Sequence, residues 1–363
     1  MESLASKLVP AAVEKLIPYQ SARRIGGSGH LWLNANELES SCQYGDQEEG
    51  YHRYPDFLPH DIADAYLKFC NRTDELLSCD AVAVRGADEA IDLLIRTFCQ
   101  PGVDNIMVCT PTYAMYEFCA DSIAAKTVNV PLMANFQLDV AAMKAQLPSV
   151  KLVFLCSPNN PTGNIIERAD IVDLLEAAKD QALIVVDEAY IEFAPHSTVV
   201  DLMREYPHLV VIRTLSKAFG LAAIRCGFLL ADSSVMSYVS RLIAPYPIAD
   251  PIAEIALKAL APAGTDKMQT QVDQLISIRE WFASELVNLS IVEQVMPSAT
   301  NFVLVKFNTK TCIYTYLCSK GIVTRNQSHE SALTGCVRIS IGSRESMQET
   351  LQALKNYQLN DLA

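Results

Sequence analysis

Between residues 80 and 230, short apolar runs alternate with segments whose apolar positions recur every three to four residues. The runs at 81–84, 105–109, 152–156, 183–186, 209–212 and 226–230 predict strands, and 87–99, 113–124, 167–180 and 197–205 predict amphipathic helices. This alternation predicts an α/β fold: a mostly parallel central sheet with helices on both faces. Farther on, 266–289 reads as one long helix. A strand at 302–307, a helix at 311–320, paired short strands around 322–324 and 337–341, and a final helix from Ser343 follow it. These form a smaller α+β unit. The expected division is an N-terminal arm and small-domain segment over 1–50, a large domain over 51–263 and a small C-terminal domain over 264–363. Residues 1–30 read as a short helix and an arm ending in Gly26-Gly27-Ser28-Gly29. No strand leads into that glycine cluster and no helix leads out, so it reads as a plain loop.

Composition narrows the picture. The 363 residues suit two domains, and 50% hydrophobic against 20% charged residues excludes a disordered chain. The net charge of −13 lacks the basic footprint of a general nucleic-acid binder or a polybasic membrane surface. It leaves small anionic substrates open, since a local arginine pair overrides the global sign. Eleven cysteines, an odd number with no C-x-x-C spacing, argue against zinc knuckles and redox dithiols and for a reducing, cytoplasmic compartment. Pro10 and Pro18 interrupt any signal-peptide core, and no run of 18 apolar residues offers a membrane span.

Four segments stand just past predicted strand ends, the edge where open α/β sheets bind ligands. Val84-Arg85-Gly86-Ala87-Asp88-Glu89 opens a helix whose free N–H groups suit a phosphate; taken alone it reads first as an ordinary strand-turn-helix with acidic residues complementing the helix dipole. Ser157-Pro158-Asn159-Asn160-Pro161-Thr162-Gly163 is a loop stiffened by two prolines, able to hold an amide against a ligand. Asp187-Glu188-Ala189-Tyr190 follows four apolar residues and resembles the magnesium-binding strand of nucleoside triphosphatases, but the chain has no G-x-x-x-x-G-K-[ST]. Arg213-Thr214-Leu215-Ser216-Lys217, followed by Arg225, places a lysine among apolar residues, where it either snorkels or is desolvated into a Schiff-base nucleophile. A cofactor carrying an aldehyde, a pyridine ring and a phosphate needs this combination of groups.

With these motifs the chain resembles the class II, pyridoxal-5′-phosphate-dependent aminotransferases of fold type I, and within them the histidinol-phosphate aminotransferase family. The resemblance runs nearly end to end, from Pro18-Tyr19-Gln20-Ser21-Ala22-Arg23-Arg24 and Asn34-Ala35-Asn36-Glu37 to Gly335-Cys336-Val337-Arg338-Ile339. It implies that Lys217 forms the imine, Asp187 pairs with the ring nitrogen, and Tyr190 and Asn160 bond the ring oxygen. It also implies that Ala87, Asp88, Ser216 and Arg225 hold the phosphate with Thr214 nearby, and that Tyr113 stacks on the ring. Tyr54 is implied to reach the cofactor phosphate of a neighbouring subunit, which implies a homodimer. Leu221-Ala222-Ala223-Ile224 departs from the glycine and leucine more common before the arginine, yet Arg225 remains in place.

By the same resemblance Arg338 grips a substrate anion, with Arg325, Tyr19 and Asn36 beside it. The implied activity is transamination of histidinol phosphate with 2-oxoglutarate, giving imidazole-acetol phosphate and glutamate. A threonine-phosphate decarboxylase, a broad aromatic-amino-acid aminotransferase and a non-catalytic cofactor-binding regulator are the rival readings.

Overall fold

The computed structural model describes residues 3–19, 30–41, 50–70, 79–308 and 312–361. Eleven strands run in chain order as β1 (Asp80–Val84), β2 (Asn105–Val108), β3 (Lys126–Asn129), β4 (Leu152–Cys156), β5 (Leu183–Asp187), β6 (Leu209–Thr214), β7 (Gly227–Ala231), β8 (Val292–Val295), β9 (Phe302–Phe307), β10 (Arg325–Asn326) and β11 (Cys336–Ser340). The first seven form one sheet in the order β1-β7-β6-β5-β4-β2-β3, and the last four a second in the order β10-β11-β9-β8. In the large sheet β7 runs antiparallel to both β1 and β6, while the other pairings are parallel. The small sheet is antiparallel throughout.

Side chains alternate across the central strands because the side-chain period of a strand is two. Leu152, Phe154, Leu183, Val185, Val210 and Ile212 enter the core with helix Ala87–Phe98. Val153, Leu155, Ile184, Val186, Leu209 and Val211 enter the opposite core with helix Arg168–Ala178. Both faces are therefore apolar, which is why these strands read as continuous hydrophobic runs. Ala5 and Leu8 of the N-terminal helix Leu4–Leu8 join the first core. The long helix spans Pro262–Leu286 and packs beneath the small sheet through Phe282 and Leu286.

Two expectations are corrected, and one strand is added. Residues 197–205 form two short 3-10 turns, Pro195–Ser197 and Val200–Arg204, rather than a helix. The Val199 N–H and Thr198 hydroxyl donate to Glu188 instead of continuing a helical ladder. The strand expected at 322–324 lies at Arg325–Asn326, because Gly321 turns at φ +79° and the Ile322 N–H still bonds back to Leu317. Edge strand β3 was not expected, since Lys-Thr-Val-Asn offers no apolar run. The glycine cluster at 26–29, residues 20–24 of the N-terminal motif and Cys42 lie outside the described residues. The other ten cysteines are free thiols. Among the described residues no helix is long and apolar enough to cross a membrane.

Candidate active site

At the C-terminal edge of the large sheet a cavity of about 550 Å³ opens between β4, β5, β6 and the start of helix Ala87–Phe98. The two-residue period places Cys156, Asp187 and Thr214 on one face of three adjacent strands, all at this edge. Their walls are completed by Ala87, Asp88, Tyr113, Asn160, Tyr190, Ser216, Lys217 and Arg225. Cys156, Ala189 and Ala222, which the sequence did not single out as site residues, also line the wall.

Asp187 is almost wholly buried. Its Oδ2 accepts from the Tyr116 hydroxyl at 2.8 Å and its Oδ1 from the Ala189 N–H at 3.0 Å. Burial pushes its carboxyl up to about 6, against the pull of these two donors. Lys217 is held below the ordinary lysine range by burial and by the Arg338 guanidinium, with Asp187 and Asp88 acting in the opposite direction. Its Nζ stands 5.6 Å from the centre of the Tyr190 ring. Burial pushes the Tyr190 hydroxyl well above its usual range.

At the other end of the cavity, Gly86 caps helix Ala87–Phe98 with φ +80°, leaving first-turn N–H groups directed outward. A Cβ on Gly86 would stand 2.5 Å from Arg225 Nη2. One on Gly227 would lie 2.7–2.8 Å from the backbone of Gly86 and Ala87, so the strand passes directly under this turn. Arg225 adopts a left-handed conformation (φ +54°) after the 3-10 turn Ala222–Ile224. Its Nη2 donates to Asp88 Oδ2 at 3.1 Å, and Asp88 Oδ1 accepts from the Tyr113 hydroxyl at 2.9 Å. Thr214 Oγ1 donates to Ser216 Oγ at 2.9 Å. The result is a small polar cradle of helix N–H groups, hydroxyls and a guanidinium, suited to a phosphate.

The tandem asparagines divide their work. Asn159 is buried and locks its loop, donating to Pro111 O at 2.9 Å and Thr162 Oγ1 at 2.7 Å. Asn160 faces the cavity, and its Oδ1 accepts from Arg338 Nη1 on β11. Arg338 is thereby tied to the cavity wall. Arg325 is its direct cross-strand neighbour on β10. Burial lowers the proton affinity of Arg338, and the nearby Arg325 charge lowers it further.

Tyr19, Asn36, Tyr54 and Arg325 do not line the cavity. Tyr19, Asn36 and Arg325 are exposed. Tyr54 is half-exposed, stacked on Tyr246 with ring centres 4.6 Å apart, and its N–H donates to Glu37 Oε1 at 2.7 Å. Sequence reasoning missed Tyr116, which lies in the first turn of helix Met115–Ser122, while Tyr113 stands in the loop before that helix and meets it edge-on.

The model for the aminotransferase class I and II family matches residues 32–354. A histidinol-phosphate aminotransferase of Escherichia coli O9:H4 (strain HS) is 43% identical over 347 residues, covering 96% of each chain. Among solved structures, the histidinol-phosphate aminotransferase of Clostridium acetobutylicum superposes with a TM-score of 0.78 at 25% identity, over 85% of this chain and 92% of the other. That of Sinorhizobium meliloti, determined in complex with pyridoxal-5′-phosphate, gives 0.76 at 23% identity, over 86% and 84%. The chain belongs to the histidinol-phosphate aminotransferase family, within the class I and II aminotransferases of fold type I.

Proposed function

We propose that this protein uses pyridoxal 5′-phosphate to transfer the amino group of L-histidinol phosphate to 2-oxoglutarate, giving imidazole-acetol phosphate and L-glutamate in histidine biosynthesis. The observation that carries the substrate assignment is the Arg325–Arg338 cross-strand pair. Like charges opposed across a ladder destabilise it. Among the described residues no carboxylate forms an ion pair with either guanidinium. A pair kept in this state suits a dianion such as a phosphate monoester, and the carboxylates of glutamate could use the same arginines.

The donor set fits the cofactor. It offers a lysine with depressed proton affinity, a buried carboxylate and, across the cavity, a cradle for a phosphate. When bound, pyridoxal phosphate supplies an aldehyde for the incoming amine and a protonated ring that accepts the electron pair left at the substrate Cα. Lys217 Nζ anchors the cofactor at rest. Its lowered proton affinity favours the unprotonated amine, the form in which Lys217 would act as the base toward the substrate Cα proton. Asp187 holds the proton on the ring nitrogen. Tyr190 and Asn160 donate to the ring oxygen, and Tyr113 covers the ring face. Ala87 and Asp88 N–H groups, Ser216 and Arg225 hold the phosphate, with Thr214 fixing Ser216. Arg338 and Arg325 receive the substrate anion, with Tyr19 and Asn36 from the arm beside them.

We also propose a homodimer in which Tyr54 serves the partner's cofactor, since Tyr54 stands outside the cavity of its own chain and remains half-exposed. Ile17, Leu31, Leu33 and Leu38 of the N-terminal arm are likewise exposed, apolar side chains suited to burial against a second copy. Mixing Tyr54→Phe and Lys217→Ala proteins at limiting cofactor should restore one intact site per hybrid. Absence of any activity gain after subunit exchange would refute the shared site.

The substrate reading is tested by a ratio. A charge-assisted hydrogen bond contributes about 1.5–3 kcal/mol, so Arg325→Ala should lower kcat/KM for histidinol phosphate by roughly 10- to 150-fold. The loss for phenylalanine, whose single carboxylate needs only Arg338, should be much smaller. An unchanged ratio between the two substrates would remove Arg325 from the site.

A further inference from the structure

Tyr116 lies behind the cavity, on helix Met115–Ser122, and does not line its wall. It is fully buried, and its ring stacks on Phe154 of β4 with centres 4.9 Å apart and planes 14° from parallel. The edge of Tyr113 meets it from the cavity side at 5.8 Å. This packing leaves the phenol one orientation, in which the hydroxyl donates to Asp187 Oδ2 at 2.8 Å. A buried tyrosine hydroxyl spends its hydrogen bond on some acceptor. Here the acceptor is the carboxylate at the centre of the site, and the hydroxyl stays a donor because burial and the Asp187 charge hold its proton firmly in place.

We propose that Tyr116 is a positioning residue for Asp187: its hydroxyl fixes the orientation of the carboxylate and favours the ionised form that keeps the ring-nitrogen proton on the ring. This rests on the reading of Asp187 given above. Two groups compete for one proton, the ring nitrogen and the carboxylate. A donor on the carboxylate lowers its share. The other groups facing Asp187 are Asp88 and Tyr113 from the phosphate end, Cys156 from β4, Tyr190 from the following turn and Lys217 from the β6–β7 connection. Of these, Lys217 also favours the ionised carboxylate, while Asp88 opposes it. The Ala189 N–H supports the other oxygen.

The test uses holoenzyme reconstituted with pyridoxal phosphate carrying ¹⁵N in the ring. In Tyr116→Phe the ring resonance should move toward that of neutral pyridine at neutral pH. The acid limb of the kcat profile should rise by about 1–2 pH units, the shift corresponding to one hydrogen bond to a charged group. At neutral pH kcat should fall about 10-fold while KM for histidinol phosphate stays within about twofold. Phe154→Leu is the packing control: it weakens the ring stack but keeps the hydroxyl. It should lower Tm and leave the ring resonance in place. A wild-type resonance and pH profile in Tyr116→Phe overturn the inference even if kcat drops. So does a Phe154→Leu protein whose resonance moves as far as that of Tyr116→Phe. If the wild-type protein fails to use histidinol phosphate but transaminates another amine, only the substrate reading falls, and the ring resonance still decides the role of Tyr116.

Discussion

Asp187 and Glu188 are neighbours in sequence, yet they belong to opposite sides of the large sheet. Asp187 turns to the side of Leu183 and Val185, and Glu188 to that of Ile184 and Val186. Glu188 is completely satisfied by the protein. It forms a buried ion pair with Arg213 at 2.6 Å and accepts from the Val199 N–H and the Thr198 hydroxyl. Asp187 receives two neutral donors and, among the described residues, no hydrogen bond from a cation, so burial leaves its carboxyl near 6. The same burial therefore serves two ends. On one side Glu188 and Arg213 cancel each other and the segment at 198–199 is pinned; on the other a charge is left for a ligand to complete.

The difference can be broken from either side. Removing the partner of a buried charge typically costs about 3–5 kcal/mol. Glu188→Gln should therefore lower unfolding stability by up to about that amount, since buried Arg213 would lose its ion-pair partner and keep only the carboxyl of Glu192 beside it. Urea unfolding checks it, and a loss below about 1 kcal/mol would show that the pair contributes little. Asp187→Asn should do the reverse. Turnover should fall about 100- to 1000-fold, the scale of losing one preorganised charge in a reaction site, while stability at pH 8 does not drop. Near-normal turnover in that variant would contradict the assigned role.

A third carboxylate sharpens the contrast. Glu192 is buried beside Arg213 and, among the described residues, neither of its oxygens has a hydrogen-bond partner. Burial raises its carboxyl to about 7, only partly opposed by Arg213. Because the folded-state value exceeds the ordinary 4.5, the fold binds this proton more tightly than the unfolded chain. Its contribution to stability is therefore complete below about pH 4.5 and is lost as pH rises through 7. Glu192→Gln should match wild type near pH 4.5 and exceed it at pH 8 by up to about 3 kcal/mol. Parallel stability curves for the two proteins between those pH values would contradict this.

Much of this arrangement is legible in the sequence because it is written locally. Asp187, Ser216 and Lys217 each follow an apolar run, and the edge such runs end on is a property of α/β sheets in general. The partners of these residues are not local. Glu188 meets Arg213 only through the parallel pairing of β5 with β6, and no spacing in the chain states that register. Tyr116 reads as one more aromatic on a helix face until the sheet brings Asp187 under its hydroxyl. The antiparallel direction of β7 is equally silent, since its apolar run reads the same either way. Residues 197–205 misled for the same reason: their apolar positions fit a helix, but the buried acceptor at Glu188 captured the amide and hydroxyl that a helix would have used.

The two sheets also separate two kinds of inheritance. The side chains that surround the cavity come from the seven-stranded sheet and its connections, where Cys156, Asp187 and Thr214 continue strands packed on both faces. Arg325 stands on a two-residue strand at the rim of the other sheet, exposed and bordered by only β11. A substitution there disturbs little packing, whereas one beside Asp187 disturbs a core. Under the substrate role proposed for Arg325, descendants of such a chain would be free to sample new substrates along that rim while the cavity on the large sheet is carried forward unchanged.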